Sequence, residues 1–426
     1  ANETNQDYSE LLLRDCTFKN SYSDTSTGCQ GAYLTGGYNK LVVDNCTFKD
    51  HTRATGAGTP GSHGTGGLGI SAAYLTLETP RFVSVQNSRF ENITNGDTGS
   101  DANNVDADGL SISTGNTAGD DYIFAAVSVS NNTFVNCKGR SIKIQGDEAI
   151  ISGNSFFKDI MPTLGGSTEV NLQVSSGIVT SNVFHYDETA GGLSPFDQDG
   201  GTDAQSVMID FYNGTADTRE RMITVTDNTV FNNVDTTVGH PAALVGFSGY
   251  SAPNTHAKIS GNNVSKKLTY FISMSPATGS DMMYLNASDN YVSELATAFM
   301  HGNGSGVTAN NINLTGNINS GVEVPAAWYD VTSSPFSATY SVVNCVNLTP
   351  DEYLEANLPT TFPLRAHSIA SKGTGGGLLS VHAVTIADDA TYTFPALGYY
   401  SAYAFRVLSV GYNETTTGIF VDGGSA

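Results

Sequence analysis

Between residues 105 and 146 the chain reads VDADGLSISTGNTAGDDYIFAAVSVSNNTFVNCKGRSIKIQG. Two short apolar-alternating segments, 108–113 and 140–145, flank a third at 126–130. Aligned on their aliphatic residues, Leu110 falls under Ile142 and Ile112 under Ile144. In a strand, successive side chains point to opposite faces, so this register suits parallel strands stacked on one face of a coil. The remaining positions then face out, with Ser111 beside Lys143 and Ser113 beside Gln145.

A repeat runs through the chain in the same phase. It is a polar or small residue, two further residues and a large apolar one, after a β-branched run. Copies are DCTF at 15–18, NCTF at 45–48, NSRF at 87–90, NNTF at 131–134, GNSF at 153–156 and SNVF at 181–184. They continue as DNTV at 227–230, GNNV at 261–264, DNYV at 289–292 and a degraded GNIN at 316–319. Spacing varies, so insertions enter between fixed strands, as in a β-solenoid. This predicts that Phe18, Phe48, Phe90, Phe134, Phe156 and Phe184 stack inside. The turn asparagines are expected either to adopt left-handed backbone or to ladder their amides.

A second set of strands is predicted at 31–35, 68–72, 108–113, 140–145, 169–174, 207–211 and 243–247. Its outward row passes through Gly69, Ser111, Lys143 and Asn171. Ser71, Ser113, Gln145, Gln173 and Asp210 stand beside that row. The fold class expected is all-β, a solenoid of stacked parallel strands over 1–320. Residues 321–363 read as a cap and linker. The tail 364–426 has longer period-two runs and reads as a small antiparallel β-sandwich.

Composition adds limits. Of 426 residues, 46 are Gly and only 14% are charged, which suits a turn-rich β protein. The net charge of −22, without basic clusters, argues against a nucleic-acid partner. No membrane span is evident, so no membrane insertion is expected. Five cysteines leave at least one thiol without an intrachain partner. Cys16 and Cys46 hold equivalent repeat positions and read as stacked buried thiols rather than a disulfide. No His or Cys spacing indicates zinc, and no cofactor or metal is implied.

The coil with inserted loops resembles the pectate-lyase-like right-handed parallel β-helix, which is the fold expected for 1–320. The tail VTIADDATYTFPALGYYSAYAFRVLSV resembles the small C-terminal β domains of bacteriophage tail spikes. That resemblance implies a homotrimer on the virion, outside the cell, that recognises and usually cleaves a bacterial cell-surface polysaccharide. Such spikes carry an N-terminal particle-binding domain; the sequence here begins directly with a repeat, so that domain is expected to be missing or removed, and 364–426 is the expected trimerisation domain. A second resemblance is to polygalacturonase-type hydrolases. Asn104-Val105-Asp106-Ala107-Asp108-Gly109 is similar to their NTDG element, and Arg140-Ser141-Ile142-Lys143 to their R-I-K element. Their paired Asp would fall at Asp120–Asp121, off the strand, and their G-H-G element is absent. The resemblance therefore extends to Asp106, Asp108, Arg140 and Lys143.

Glycoside hydrolysis needs one carboxyl group to protonate the leaving oxygen and another to activate water. The candidates are Asp106, Asp108, Glu169 and Asp210, the last two read as outward on adjacent strands. Arg140, Lys143, Gln145, Asn171, Gln173 and Tyr212 are the expected substrate contacts. β-Elimination needs instead a base and a cation to neutralise an enolate, roles open to Lys143 and Arg140. The plainer alternative for these two cations is an ion pair between coils. His63, in a glycine loop before a front strand, is a lesser catalytic candidate. Depolymerase by hydrolysis is the expectation, with a lyase or a non-catalytic glycan-binding adhesin as alternatives.

Overall fold

The structure is a computed structural model. It describes residues 8–23, 29–35, 38–53, 65–71, 82–95, 107–113, 126–160, 168–187, 205–211, 220–233, 243–249, 255–276, 283–302, 310–320, 327–331, 338–348 and 367–369. Every regular element among them is a β-strand. The strands fall into three rows, each built from parallel pairs in register.

The first row begins Tyr8–Arg14, Tyr38–Asp44, Phe82–Gln86, Ala126–Ser130 and ends at Ala338–Val343. The second begins Thr17–Lys19, Thr47–Arg53, Arg89–Asn95, Thr133–Cys137 and ends at Val346–Leu348. The third begins Gln30–Thr35, Thr65–Ser71, Ala107–Ser113 and ends at Ala327–Val331. Some strands bend through a corner: Ile142–Ser152 and Val170–Thr180 leave the third row and enter the first row of the next coil. This is an all-β architecture of stacked parallel strands, compatible with a parallel β-helix. Leu110 pairs with Ile142 and Ile112 with Ile144, as the aliphatic alignment predicts.

The two-residue corner between first and second rows explains the repeat. Its first residue has positive φ in every copy, from Asp15 (55°) through Asn131 (56°) and Gly153 (65°) to Asn344 (53°). Asn, Asp and Gly tolerate this region best, which is why they recur there. The second residue points inward. From Asn132 to Asn317 it is asparagine; the Asn132 oxygen accepts the Ser88 backbone N–H, and from Asn154 onward each amide oxygen accepts both the backbone N–H and the side-chain N–H of the asparagine one coil earlier. For Asn154 on Asn182 these distances are 2.9 and 3.0 Å. The other amide hydrogen is donated to a buried carbonyl, as from Asn182 to Ile151 at 3.0 Å. Both expected asparagine roles therefore occur, at adjacent positions. Cys16, Cys46, Ser88 and Cys345 hold the same position at the ends of the column, and all five cysteines are free.

Two residues further on, the phenylalanines stack with centroids 4.7–5.1 Å apart from Phe18 to Phe184. Each such contact adds about 0.5–1.5 kcal/mol beyond burial. The opposite inner corner complements them in volume. Where the second row holds Phe48 and Phe90, that corner holds Gly67 and Gly109. A Cβ on Gly109 would lie 2.8 Å from Cys137 Sγ and 3.1 Å from Phe134. Where the second row holds Val230, Val264 and Val292, the corner holds Leu244, Phe271 and Phe299, all fully buried. Phe271 and Phe299 stack at 4.6 Å. Large and small residues thus change places along the axis, keeping the interior filled.

The stacking continues past Ser320, where the repeat was expected to stop. Ala327–Val331, Ala338–Val343 and Val346–Leu348 extend all three rows. Their corner, Asn344-Cys345, repeats the Asn45-Cys46 pair of an early copy, with Asn347 in place of the large apolar residue that marks the repeat in sequence. Val346–Leu348 also pairs antiparallel with His367–Ile369. The rest of the predicted sandwich lies outside the described residues.

Candidate functional site

The outer face of the third row is the candidate site. Register places Tyr33, Gly69, Ser111, Lys143, Asn171 and Met208 in one outward column. A Cβ on Gly69 would meet the Tyr33 ring at 2.7 Å, so glycine there lets the tyrosine lie across the face. Tyr33 was not among the expected contacts; a tyrosine opposite a glycine one coil away was the available signal.

Asp108 and Arg140 come from neighbouring coils. Arg140 Nε lies 2.9 Å from Asp108 Oδ1 and Nη2 lies 3.2 Å from Oδ2, while the Arg140 backbone N–H also donates to Oδ1 at 3.2 Å. This is the two-pronged geometry that suits guanidinium and carboxylate. The Asp108 side chain is almost fully enclosed and that of Arg140 is 15% exposed. The pair is the inter-coil ion pair that was the plainer alternative for Arg140.

Next to it, Lys143 is half-buried between Ser111 and Asn171. Gln145 Nε2 donates to Gln173 Oε1 across coils. Asn171 is 5% exposed, and its Oδ1 is buried without a hydrogen-bond partner. A buried acceptor left unmet costs about 1–3 kcal/mol. The face therefore carries a guanidinium, an ammonium and side-chain amides in a row suited to a chain of hydroxyl groups.

Glu169 is not on this face. It is 1% exposed and points into the coil, where Oε1 lies 2.8 Å from Lys158 Nζ and Oε2 accepts from Ser141 Oγ. The outward assignment fails because the corner places two consecutive residues inward: Gly109 with Leu110, Ser141 with Ile142, and Glu169 with Val170. Counting alternately back from the strand misses this doubled step. Nearby, burial and then the Glu169 charge push the Cys137 thiol and the Tyr186 hydroxyl upward, which keeps both protonated. Tyr186 donates to Ser206 at 2.9 Å. This interior group bridges the change from the phenylalanine column to the Leu244–Phe299 column.

Asp210 lies on Gln205–Phe211 with its backbone opposite Ser248. Asp106, Tyr212, His63 and Asp120–Asp121 lie outside the described residues. Of the four expected catalytic acids, Asp108 is the one whose side chain is placed at the face. Among the described residues no three His, Cys, Asp or Glu side chains converge as a metal site, and no helix is long and apolar enough to cross a membrane. Fold and face define an all-β protein of stacked parallel strands with a polar outer row. Comparison with protein-family models, curated proteins and solved structures finds no match.

Proposed function

We propose that the chain is a right-handed β-helical tail-spike depolymerase, binding and cleaving a bacterial surface polysaccharide along its third row. The observation that carries this reading is the in-register polar row: Arg140 on Asp108, then Lys143 beside Asn171, and Gln145 on Gln173. A glycan supplies many hydroxyl donors and acceptors at regular intervals, which is what such a row can meet. Oligomerisation as a homotrimer fits the exposed aliphatic side chains of the first row, Ile150, Ile178 and Met222.

In the hydrolytic mechanism Asp108 is one of two carboxylates. An inverting pair stands roughly 6.5–9.5 Å apart. Asp210 lies three coils from Asp108, at least about 14 Å by strand spacing. Asp106 is therefore the partner that hydrolysis requires. β-Elimination is the second reading, favoured by the two cations, Arg140 and Lys143, beside a single described carboxylate.

Incubation with purified capsular, O-antigen and exopolysaccharide preparations tests this. New reducing ends without enoate absorption indicate hydrolysis, and absorption indicates elimination. Asp108→Asn should lower turnover at least tenfold with folding retained. Binding without shortening of any polysaccharide would replace the enzyme by a glycan-binding adhesin.

A further inference from the structure

The outer face of the second row carries a different chemistry. Its outward positions run in register from Val135 through Phe157, His185 and Phe231 to Ser265. Phe157 and Phe231 are 41% and 43% exposed, although Phe156 and Phe184 beside them already fill the interior. Ring centroids are 5.6 Å apart from Phe157 to His185 and 6.0 Å from His185 to Phe231. The planes tilt by 30° and 43°, so the rings fan along the axis instead of closing on one another.

One flank of the column is polar. Asp187 Oδ2 lies 3.2 Å from His185 Nε2, and Asn233 Nδ2 donates to Asp187 Oδ1 at 2.8 Å. The Asp187 side chain is 52% exposed, leaving its carboxylate open to further donors. The other outward residues on these strands are Thr133, Ser155, Val183 and Thr229, with no Lys or Arg among them.

We infer that the Phe157–His185–Phe231 column is a second saccharide-binding surface, for a neutral glycan, on a different face from the third row. Sugar rings present C–H faces that pack on aromatic rings, and hydroxyls at their edges that reach carboxylates and amides. One ring per coil gives a step close to one pyranose in an extended chain. The charge selects among sugars: Asp187 beside the rings repels a uronate, and the nearest lysine of the column, Lys49, stands three coils from Phe157 and is paired with Glu91. A protein partner packed flat here would have to desolvate the His185–Asp187 pair, which works against it. A glycan leaves that flank wet. The inference concerns affinity and holds whether or not the third row cleaves anything.

Calorimetric titration of the full chain with cellohexaose, maltohexaose and an oligogalacturonate tests it. At least one neutral hexasaccharide should bind, and the Phe157→Ala/Phe231→Ala double variant should bind it at least tenfold more weakly. The Phe157→Tyr/Phe231→Tyr variant, which keeps the rings, should retain binding. Light scattering is run on every variant. The assignment falls if neither neutral sugar binds, if the double alanine variant binds as wild type, or if that variant changes the oligomeric mass. The last result would make the column a seam between copies. Because the readout is affinity, failure here leaves the turnover test at Asp108 intact.

Discussion

Replacing Asn182 by alanine removes four hydrogen bonds at one point of the inner column. The lost bonds are Nδ2 to Ile151 O, Nδ2 to Asn228 Oδ1, and the two that Asn182 Oδ1 accepts from Asn154. Two of the affected groups keep a partner: Asn228 Oδ1 retains the Asn182 backbone N–H, and Asn154 Nδ2 retains Val129 O. The Asn154 N–H is stranded in the interior, whereas the Ile151 carbonyl stays within the parallel ladder opposite Val179. At about 1–3 kcal/mol for the stranded group and about 1 kcal/mol for the other lost bonds, the variant should lose about 3 kcal/mol. Serine should lose about half, because Ser88 shows what a hydroxyl does in this column: its Oγ accepts from Cys46 N–H at 3.0 Å and donates to Gln86 O at 2.8 Å. Exposed Asn286→Ala should change stability by less than about 0.5 kcal/mol. Urea unfolding gives the midpoints. A coil array need not unfold in one step, so hydrogen exchange of the Asn154 amide supplies a local reading. If Asn182→Ala stays within about 1 kcal/mol of wild type and the Asn154 amide stays protected, the column does not hold the corner together and the reasoning fails.

Further outcomes follow from the interior. Gly109→Ala places a Cβ 2.8 Å from Cys137 Sγ and Ser141 O and should cost about 1–3 kcal/mol in thermal or urea unfolding. Gly66→Ala, with its nearest neighbour at 3.5 Å, should cost less. Glu169→Gln leaves the Lys158 charge buried without its counterion and should destabilise by about 3–5 kcal/mol, whereas Lys158→Met/Glu169→Leu should recover much of that. If Glu169→Gln abolished turnover without loss of stability, the interior assignment would be wrong. Burial holds the His51 imidazole below its ordinary pKa. Above about pH 6.5 both folded and unfolded forms are neutral. Below it the unfolded chain takes up a proton that the folded chain resists, so stability falls as pH falls until the folded pKa is passed. The difference between wild type and His51→Asn in urea midpoints across pH 5–7.5 isolates this contribution, and a pH-independent difference would refute it.

The coil and its register were legible because inward aliphatics must alternate, and one aligned pair, Leu110 on Ile142, fixes every neighbour. The corner was legible because few residues accept positive φ. Glu169 was misread because alternation holds only within a strand, and the doubled inward step at the corner has no sequence mark when Gly, Ser and Glu all occupy it. The end of the coils was misread because Asn344-Cys345 is followed by Val346-Asn347, without the large apolar residue by which the repeat is recognised. The aromatic column on the second row escaped notice because Phe157, His185 and Phe231 fall one residue beyond the repeat signature.

Between the first row and the second the chain always spends the same two residues, while the segments on either side of the third row differ in length from coil to coil. Each winding is therefore brought back to the same starting angle before the next begins. A segment between 187 and 205, or between 113 and 126, can be lengthened or exchanged without shifting the phase of any later winding. The scaffold keeps time on one edge, and the edges beside the third row are left free to vary with whatever they touch.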